Sequence, residues 1–207
     1  MSRMVPGESF AGRELVSIHG AAVVVPDPRR LVHLQLRRFA GCPVCSLHLR
    51  SFVRRAGDLT AAGVSEVVVF HSPTEDLLDH AAELPFAVIA DPDRRLYAEL
   101  GAETGVRALL SPRAWWPILR AVGVALWGRL RGRQRLPSLI PHGGRYGLPA
   151  DLLVRSDGRV LAAKYGEHAD DQWSVDQVLA LARAEGVSGT CAPATPGPGA
   201  RLVFPGP

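Results

Sequence analysis

The pair Cys42-Pro43-Val44-Cys45 constrains this chain more than any other stretch. It follows a strand-like run, Leu31-Val32-His33-Leu34-Gln35-Leu36, with Val32, Leu34 and Leu36 on one face, and precedes a helix-like run from Leu47 to Leu59. This reading sets two sulfurs about one helical turn apart at a strand-to-helix junction, where dithiol redox chemistry is usually built. The helix N-terminus offers unpaired N–H groups and partial positive charge, and both favour a thiolate. A free cysteine titrates near ~8.5, and such a setting brings that to roughly neutral pH or below. Pro43 suits the first helical position, which puts Cys42 in the N-cap region. Cys45, Leu49, Phe52, Val53 and Ala56 form an apolar stripe at helical spacing. Cys45 is therefore expected to be buried, and Cys42, ahead of the stripe, to be more exposed. On the residues alone, Cys42 is the expected attacking thiolate and Cys45 its resolving partner.

The rest of the chain surrounds this junction with α/β elements. Leu15 to Val25 has a β-prone core ended by Pro26-Asp27-Pro28. Glu66-Val67-Val68-Val69-Phe70 and Phe86-Ala87-Val88-Ile89-Ala90 are nearly all apolar, as strands covered on both faces are. Ser72-Pro73-Thr74-Glu75 has the pattern of a capping box opening a helix through Leu77, Leu78 and Ala81. Asp91-Pro92 starts a short helix closed near Gly101. Asp151 to Val154, the turn Ser156-Asp157-Gly158, and Val160 to Ala163 read as a β-hairpin. Ser174-x-x-Gln177 caps a last helix ended by Gly186. The expectation is one domain over residues 1–187, with an insertion at about 105–147 and a Pro/Gly-rich, mostly disordered tail over 188–207.

The 207 residues suffice for one α/β domain with a core. The first ten residues lack an apolar signal core, and no apolar run is long enough to span a bilayer. Three cysteines with one close pair do not make a secreted disulfide framework, so a reducing, cytoplasmic compartment is expected. The net charge of +4 is unevenly placed. Arg107 through Arg135 carries seven arginines and no acid, and removing those seven leaves −3 for the rest.

That basic insertion has a helical stripe of Trp115, Ile118, Leu119, Val122, Leu126 and Leu130, flanked by Arg113, Arg120, Arg129, Arg131 and Arg133. Two readings stay open: the stripe packs on the fold with its arginines solvated, or it docks on an anionic membrane surface or a protein partner. Nucleic acid is disfavoured, because aliphatics stand where strand-binding proteins use stacking aromatics. Zinc normally takes four ligands, and there is no second Cys-x-x-Cys or suitable His pair; haem attachment needs His after Cys45, where Ser46 stands. No metal or other cofactor is expected. His48, three residues after Cys45, is a candidate for tuning a thiolate or a plain helix residue. Arg37 and Arg38 end the strand and either lower the cysteine pKa or are solvated. Cys191 is a tail thiol, either incidental or a distant resolving cysteine.

Taken together, the element order and the pieces Arg38-Phe39-Ala40-Gly41-Cys42-Pro43-Val44-Cys45, Val67-Val68-Val69-Phe70, Phe86 to Pro92, Pro112-Arg113-Ala114-Trp115-Trp116 and Leu148 to Val154 resemble a peroxiredoxin-like branch of the alkyl hydroperoxide reductase/thiol-specific antioxidant superfamily. The resemblance covers roughly residues 5 to 185. It implies a thioredoxin-like fold, with a central mixed sheet flanked by helices and a basic helical insertion. It also implies a thiol-disulfide or peroxide oxidoreductase cycling through a Cys42–Cys45 disulfide, reduced by an external thiol. Pro149 becomes the implied cis-proline facing the pair, and Pro149 and Arg38 the implied substrate-positioning residues. Aligned on a peroxiredoxin's Pro-x-x-x-Thr/Ser-x-x-Cys motif, Cys45 takes the peroxidatic place, Cys42 that of Thr/Ser and Arg38 that of Pro. That alignment swaps the two cysteine roles and removes the hydroxyl that helps hold a peroxide. The alternative from another class is a redox-sensing or redox-inactive binding module docking through its basic helix.

Overall fold

The structure is a computed structural model that describes residues 3–102, 119, 123 and 147–188. Its centre is a five-stranded mixed sheet in the order β5-β4-β3-β6-β7. β3 (Leu31–Arg37), β4 (Val64–Phe70) and β5 (Ala87–Ala90) are parallel, whereas β6 (Ala150–Val154) and β7 (Val160–Tyr165) form the expected hairpin, antiparallel to β3. The β-prone run before Pro26 is realised as two strands, β1 (Arg13–Val16) and β2 (Ala22–Val25), in a separate hairpin. Both edges of the main sheet are engaged: Ile18 N–H donates to Val88 O (2.9 Å), and Ser9 bridges Arg159. Such contacts keep edge strands from pairing with other chains.

Each face of the sheet buries a different layer. Val32, Leu34 and Leu36 face Phe10, Val25 and the short helix α4 (Arg95–Glu99). The opposite face is covered by α1 (Pro43–Arg54), α2 (Ala56–Ala61), α3 (Thr74–Ala81) and the C-terminal helix α5 (Val175–Ser188). Phe52, fully buried at the centre of this layer, is worth about 3 kcal/mol of apolar burial.

Three local expectations change. The helix expected from Leu47 to Leu59 breaks at Arg55, whose φ of −118° leaves the helical region; the adjacent Gly57 weakens helix propensity there. Val53, placed on the apolar stripe, is 38% exposed. The Ser72 box does not form: Pro73 is the N-cap of α3, no side chain caps it, and the Ser72 hydroxyl is used elsewhere. The Ser174–Gln177 box does form. Ser174 N–H donates to Gln177 Oε1 (2.9 Å) and Gln177 N–H to Ser174 Oγ (3.3 Å), and the helix it opens runs two residues past Gly186.

Of the insertion, only positions 119 and 123 are described; Leu119 is helical and 63% exposed. Arg113, Trp115, Arg120, Arg129, Arg131 and Cys191, and the tail beyond Ser188, lie outside the described residues. No described helix is long and apolar enough to cross a membrane.

Candidate active site

The cysteine pair sits where β3 leaves the sheet. Gly41 turns the chain at a φ of 72°, a conformation costly for any residue with a Cβ, and Cys42 N–H closes the turn onto Phe39 O (3.1 Å). Cys42 is the N-cap of α1, Pro43 fills its first turn, and Ser46 N–H donates to Cys42 O (2.9 Å). Both thiols are reduced in this state. The expected difference in exposure is absent: Cys42 is 1% exposed and Cys45 2%. The loop Phe39-Ala40 and Val44 pack around Cys42 in the same cluster that holds Cys45, so position ahead of the helix stripe did not leave it open.

The two sulfurs differ in ionisation instead. The Cys45 thiol hydrogen bonds to Cys42, and this is the largest influence bringing Cys42 down to about 6. Burial opposes the shift, while the Arg38 guanidinium and the N–H groups of Cys45 and Val44 add to it. Cys45 is pushed well above its ordinary value by that hydrogen bond, by burial and by the neighbouring Cys42 charge. Arg38 Nη1 lies 4.0 Å from Cys42 Sγ, with the guanidinium 5.5 Å from the centre of the Phe39 ring. Arg38 is 3% exposed, so the solvated reading of that strand end does not hold.

Other expected site residues fall differently. His48 points to Arg37 (3.4 Å from Arg37 Nη2 to His48 Nε2) and to the Phe52 ring; burial and the Arg37 charge push its pKa well down. Pro149 is not a cis-proline, because among the described residues the one cis peptide is Val25–Pro26. Pro149 still sits at the thiol pole, one residue beyond the Leu36–Ala150 pairing. Its backbone is committed to the fold, Pro149 O accepting from Gly166 N–H (2.9 Å), so a trans peptide satisfies the position. Gly147 approaches the loop closely, since a Cβ there would lie 2.9 Å from His71 Nε2.

A buried polar cluster adjoins the site and was not expected from the sequence. His33, Gln35 and Arg37, alternating with the apolar face of β3, are each 0% exposed. His33 Nδ1 bonds Glu66 Oε2 (2.8 Å) and His33 Nε2 bonds Asp151 Oδ1 (3.2 Å). Arg37 Nη2 donates to Asp151 Oδ1 and Gln35 Oε1 (2.6 Å each), Gln35 Nε2 donates to Glu66, and Trp173 N–H completes Asp151 (3.1 Å). Burial works against a charged His33, but Glu66 and Asp151 outweigh it and raise its pKa to about 9. Burial likewise opposes ionised Asp151, yet Arg37 and His33 hold its pKa well below the usual carboxylate range. The available signal was the cross-strand match of one acid in an apolar strand, Asp151, with a polar residue in each neighbouring position of β3. No group of three or more His, Cys, Asp or Glu among the described residues could hold a metal ion.

Comparison with known proteins adds the family. Peroxidoxin BcpB of Mycobacterium tuberculosis superposes with a TM-score of 0.63 at 17% identity, over 88% of this chain and 98% of that one. A peroxiredoxin-like protein from Aquifex aeolicus gives 0.59 at 12% identity, over 89% of each chain. A putative thiol:disulfide interchange protein DsbE from Chlorobium tepidum gives 0.51 at 19% identity, over 87% of this chain and 99% of that one. At these identities the likeness establishes the thioredoxin-like fold. No curated protein matches the sequence. The family model described as AhpC/TSA antioxidant enzyme matches residues 51–168, more than half the chain, starting just past the cysteine pair. This chain therefore belongs to the AhpC/TSA antioxidant enzyme family.

Proposed function

We propose that the protein is a thiol-dependent oxidoreductase, a peroxiredoxin-like antioxidant protein in which Cys42 attacks and Cys45 resolves. The observation that carries this reading is the split between two buried sulfurs, one drawn down to about 6 and its neighbour pushed up. At neutral pH Cys42 is then an anion and Cys45 a proton donor. With a hydroperoxide, the Cys42 thiolate attacks one peroxide oxygen and the O–O bond breaks. The leaving alkoxide takes a proton, and Cys42 is left as a sulfenic acid. Cys45 sulfur then displaces hydroxide from Cys42; the proton released by Cys45 leaves with it as water, and the Cys42–Cys45 disulfide forms. An external thiol reduces that disulfide by exchange. Arg38 stabilises the thiolate and stands where it can position the substrate oxygen. With a disulfide substrate the same pair works through a mixed disulfide on Cys42.

Thiol-dependent peroxide consumption tests the proposal, with trapped adducts located by mass spectrometry in single Cys→Ser variants. The expected result is a sulfenate adduct on Cys42 in Cys45→Ser. An adduct on Cys45 in Cys42→Ser, with none on Cys42 in the reverse variant, would swap the roles as the peroxiredoxin alignment does. No turnover and no reversible disulfide would leave the binding-module alternative. A reduction potential near thioredoxin's ~−270 mV would favour disulfide reduction over peroxide reduction.

A further inference from the structure

Tyr97 takes no part in that chemistry, yet it holds the chain that carries it. Asp91 anchors α4 at the end of the sheet: its N–H donates to Phe70 O (2.8 Å), and its carboxylate accepts from the N–H groups of Arg95 and Leu96 (2.9 Å each) and of Tyr97 (3.3 Å). The Tyr97 ring, 3% exposed, stands edge-on to His71 with 5.8 Å between centroids. Its hydroxyl bonds Arg37 O and lies 2.8 Å from Val69 O, carbonyls near the ends of adjacent parallel strands. A phenol has one proton for these two acceptors, so it bridges β3 and β4 at the point where β3 departs toward the cysteines. Two further bonds hold the same loop from β4: His71 N–H donates to Arg38 O (3.2 Å), and Ala40 N–H donates to Ser72 Oγ (2.9 Å). The hydroxyl that did not cap α3 is used here. Burial and the nearby Cys45 both push the Tyr97 phenol up, so it remains a donor while Cys42 ionises.

We propose that Tyr97, assisted by Ser72, is a positioning residue for the dithiol: by holding the Arg37 carbonyl it sets the separation between the Arg38 guanidinium and the Cys42 sulfur. This rests on the reading of Cys42 as the reactive thiolate, and its test uses Cys42 ionisation rather than turnover.

The experiment is the pH dependence of Cys42 alkylation by iodoacetamide, followed by peptide mass spectrometry on the reduced full-length protein. In Tyr97→Phe the ring packing is kept and only the hydroxyl is lost. A slip of ~1 Å beyond the 4.0 Å separation weakens the charge attraction by about a fifth, so the inflection is expected to rise by roughly half a pH unit. Ser72→Ala should move it the same way by less. Tyr165→Phe is the control, because it removes a phenol–carbonyl bond of similar kind, to Leu100 O (2.6 Å), that does not touch the loop; its inflection should match wild type. A Tyr97→Phe protein with lowered Tm and an unmoved inflection would overturn the proposal, as would an equal shift in Tyr165→Phe. Wild-type peroxide consumption, measured separately, decides the enzymatic reading on its own.

Discussion

Two buried charged regions lie side by side on the helix-covered face of the sheet, and they are balanced differently. In the polar cluster two basic side chains, Arg37 and His33, meet two carboxylates, Glu66 and Asp151. Every member is tied to another member, and Gln35 links the two acids' sides through Arg37 and Glu66. At the thiol site a single guanidinium, Arg38, faces a group that is neutral until it ionises. Ionisation of Cys42 places an anion beside the buried guanidinium, and that attraction favours the thiolate. The neighbouring arginines of one strand end therefore differ: Arg37 is paired with Asp151 inside the cluster, and Arg38 lies beside the Cys42 sulfur.

The contrast can be broken from its reactive side first. Cys42→Ser should abolish peroxide turnover and reduce alkylation of the 42–45 peptide, read by mass spectrometry apart from Cys191, by ~100-fold or more near neutral pH, because buried Cys45 stays protonated there. Near-equal alkylation of the two single mutants would show that the split in ionisation is not real. On the structural side, Asp151→Asn removes an acid that serves both Arg37 and His33, and urea unfolding should show a loss of about 3–5 kcal/mol. A loss under ~1 kcal/mol would mean that water reaches the cluster.

Within the polar cluster, two members should answer pH in opposite directions. The His33 pKa is raised, so its contribution, about 3 kcal/mol, is fully present below ~6.5 and lost as pH climbs through about 9. Asp151, held low, contributes above the ordinary carboxylate range and loses its contribution as pH falls through that range. Unfolding free energy against pH should therefore decline on both sides of neutrality. His33→Gln should flatten the alkaline limb, and an unchanged alkaline limb would remove His33 from the account. For Arg38→Met the Cys42 inflection should rise from near 6 by roughly two units or more, because the whole of the charge attraction is removed. The smallest is Ser174→Ala, remote from both regions, which should cost about 1 kcal/mol through the lost cap of α5 and leave Cys42 ionisation unmoved.

Much of the frame was legible because it depends on local rules. The nearly all-apolar runs of β4 and β5, the turn at Ser156-Asp157-Gly158, Pro43 in the first turn and the reciprocal Ser174–Gln177 cap each follow from residues close in sequence. What misled was a local rule overridden by a distant partner. Ser72 and Thr74-Glu75 have capping-box spacing, but Ala40, 32 positions away, takes the Ser72 hydroxyl. Pro149 has the place of a facing proline, yet its peptide is trans and its carbonyl is bound to Gly166. The alternation that sets Val32, Leu34 and Leu36 on one face leaves the burial of His33, Gln35 and Arg37 on the other undecided. They are buried because β3 is the central strand, with helices on that side as well.

The sequence by itself determined the class of fold and the place of the dithiol, because a Cys-x-x-Cys at the start of a helix is a local pattern whose spacing alone brings two sulfurs together. Only the tertiary structure decided how those sulfurs differ. Exposure does not separate them; a guanidinium four positions before Cys42, a hydrogen bond from Cys45 and a low-dielectric shell do. The tertiary structure also decided that the next arginine back, Arg37, would be neutralised by Asp151 from a strand 114 positions away. Ionisation depends on the whole set of charges and on the burial around a group, and those are fixed by packing between segments far apart in the chain.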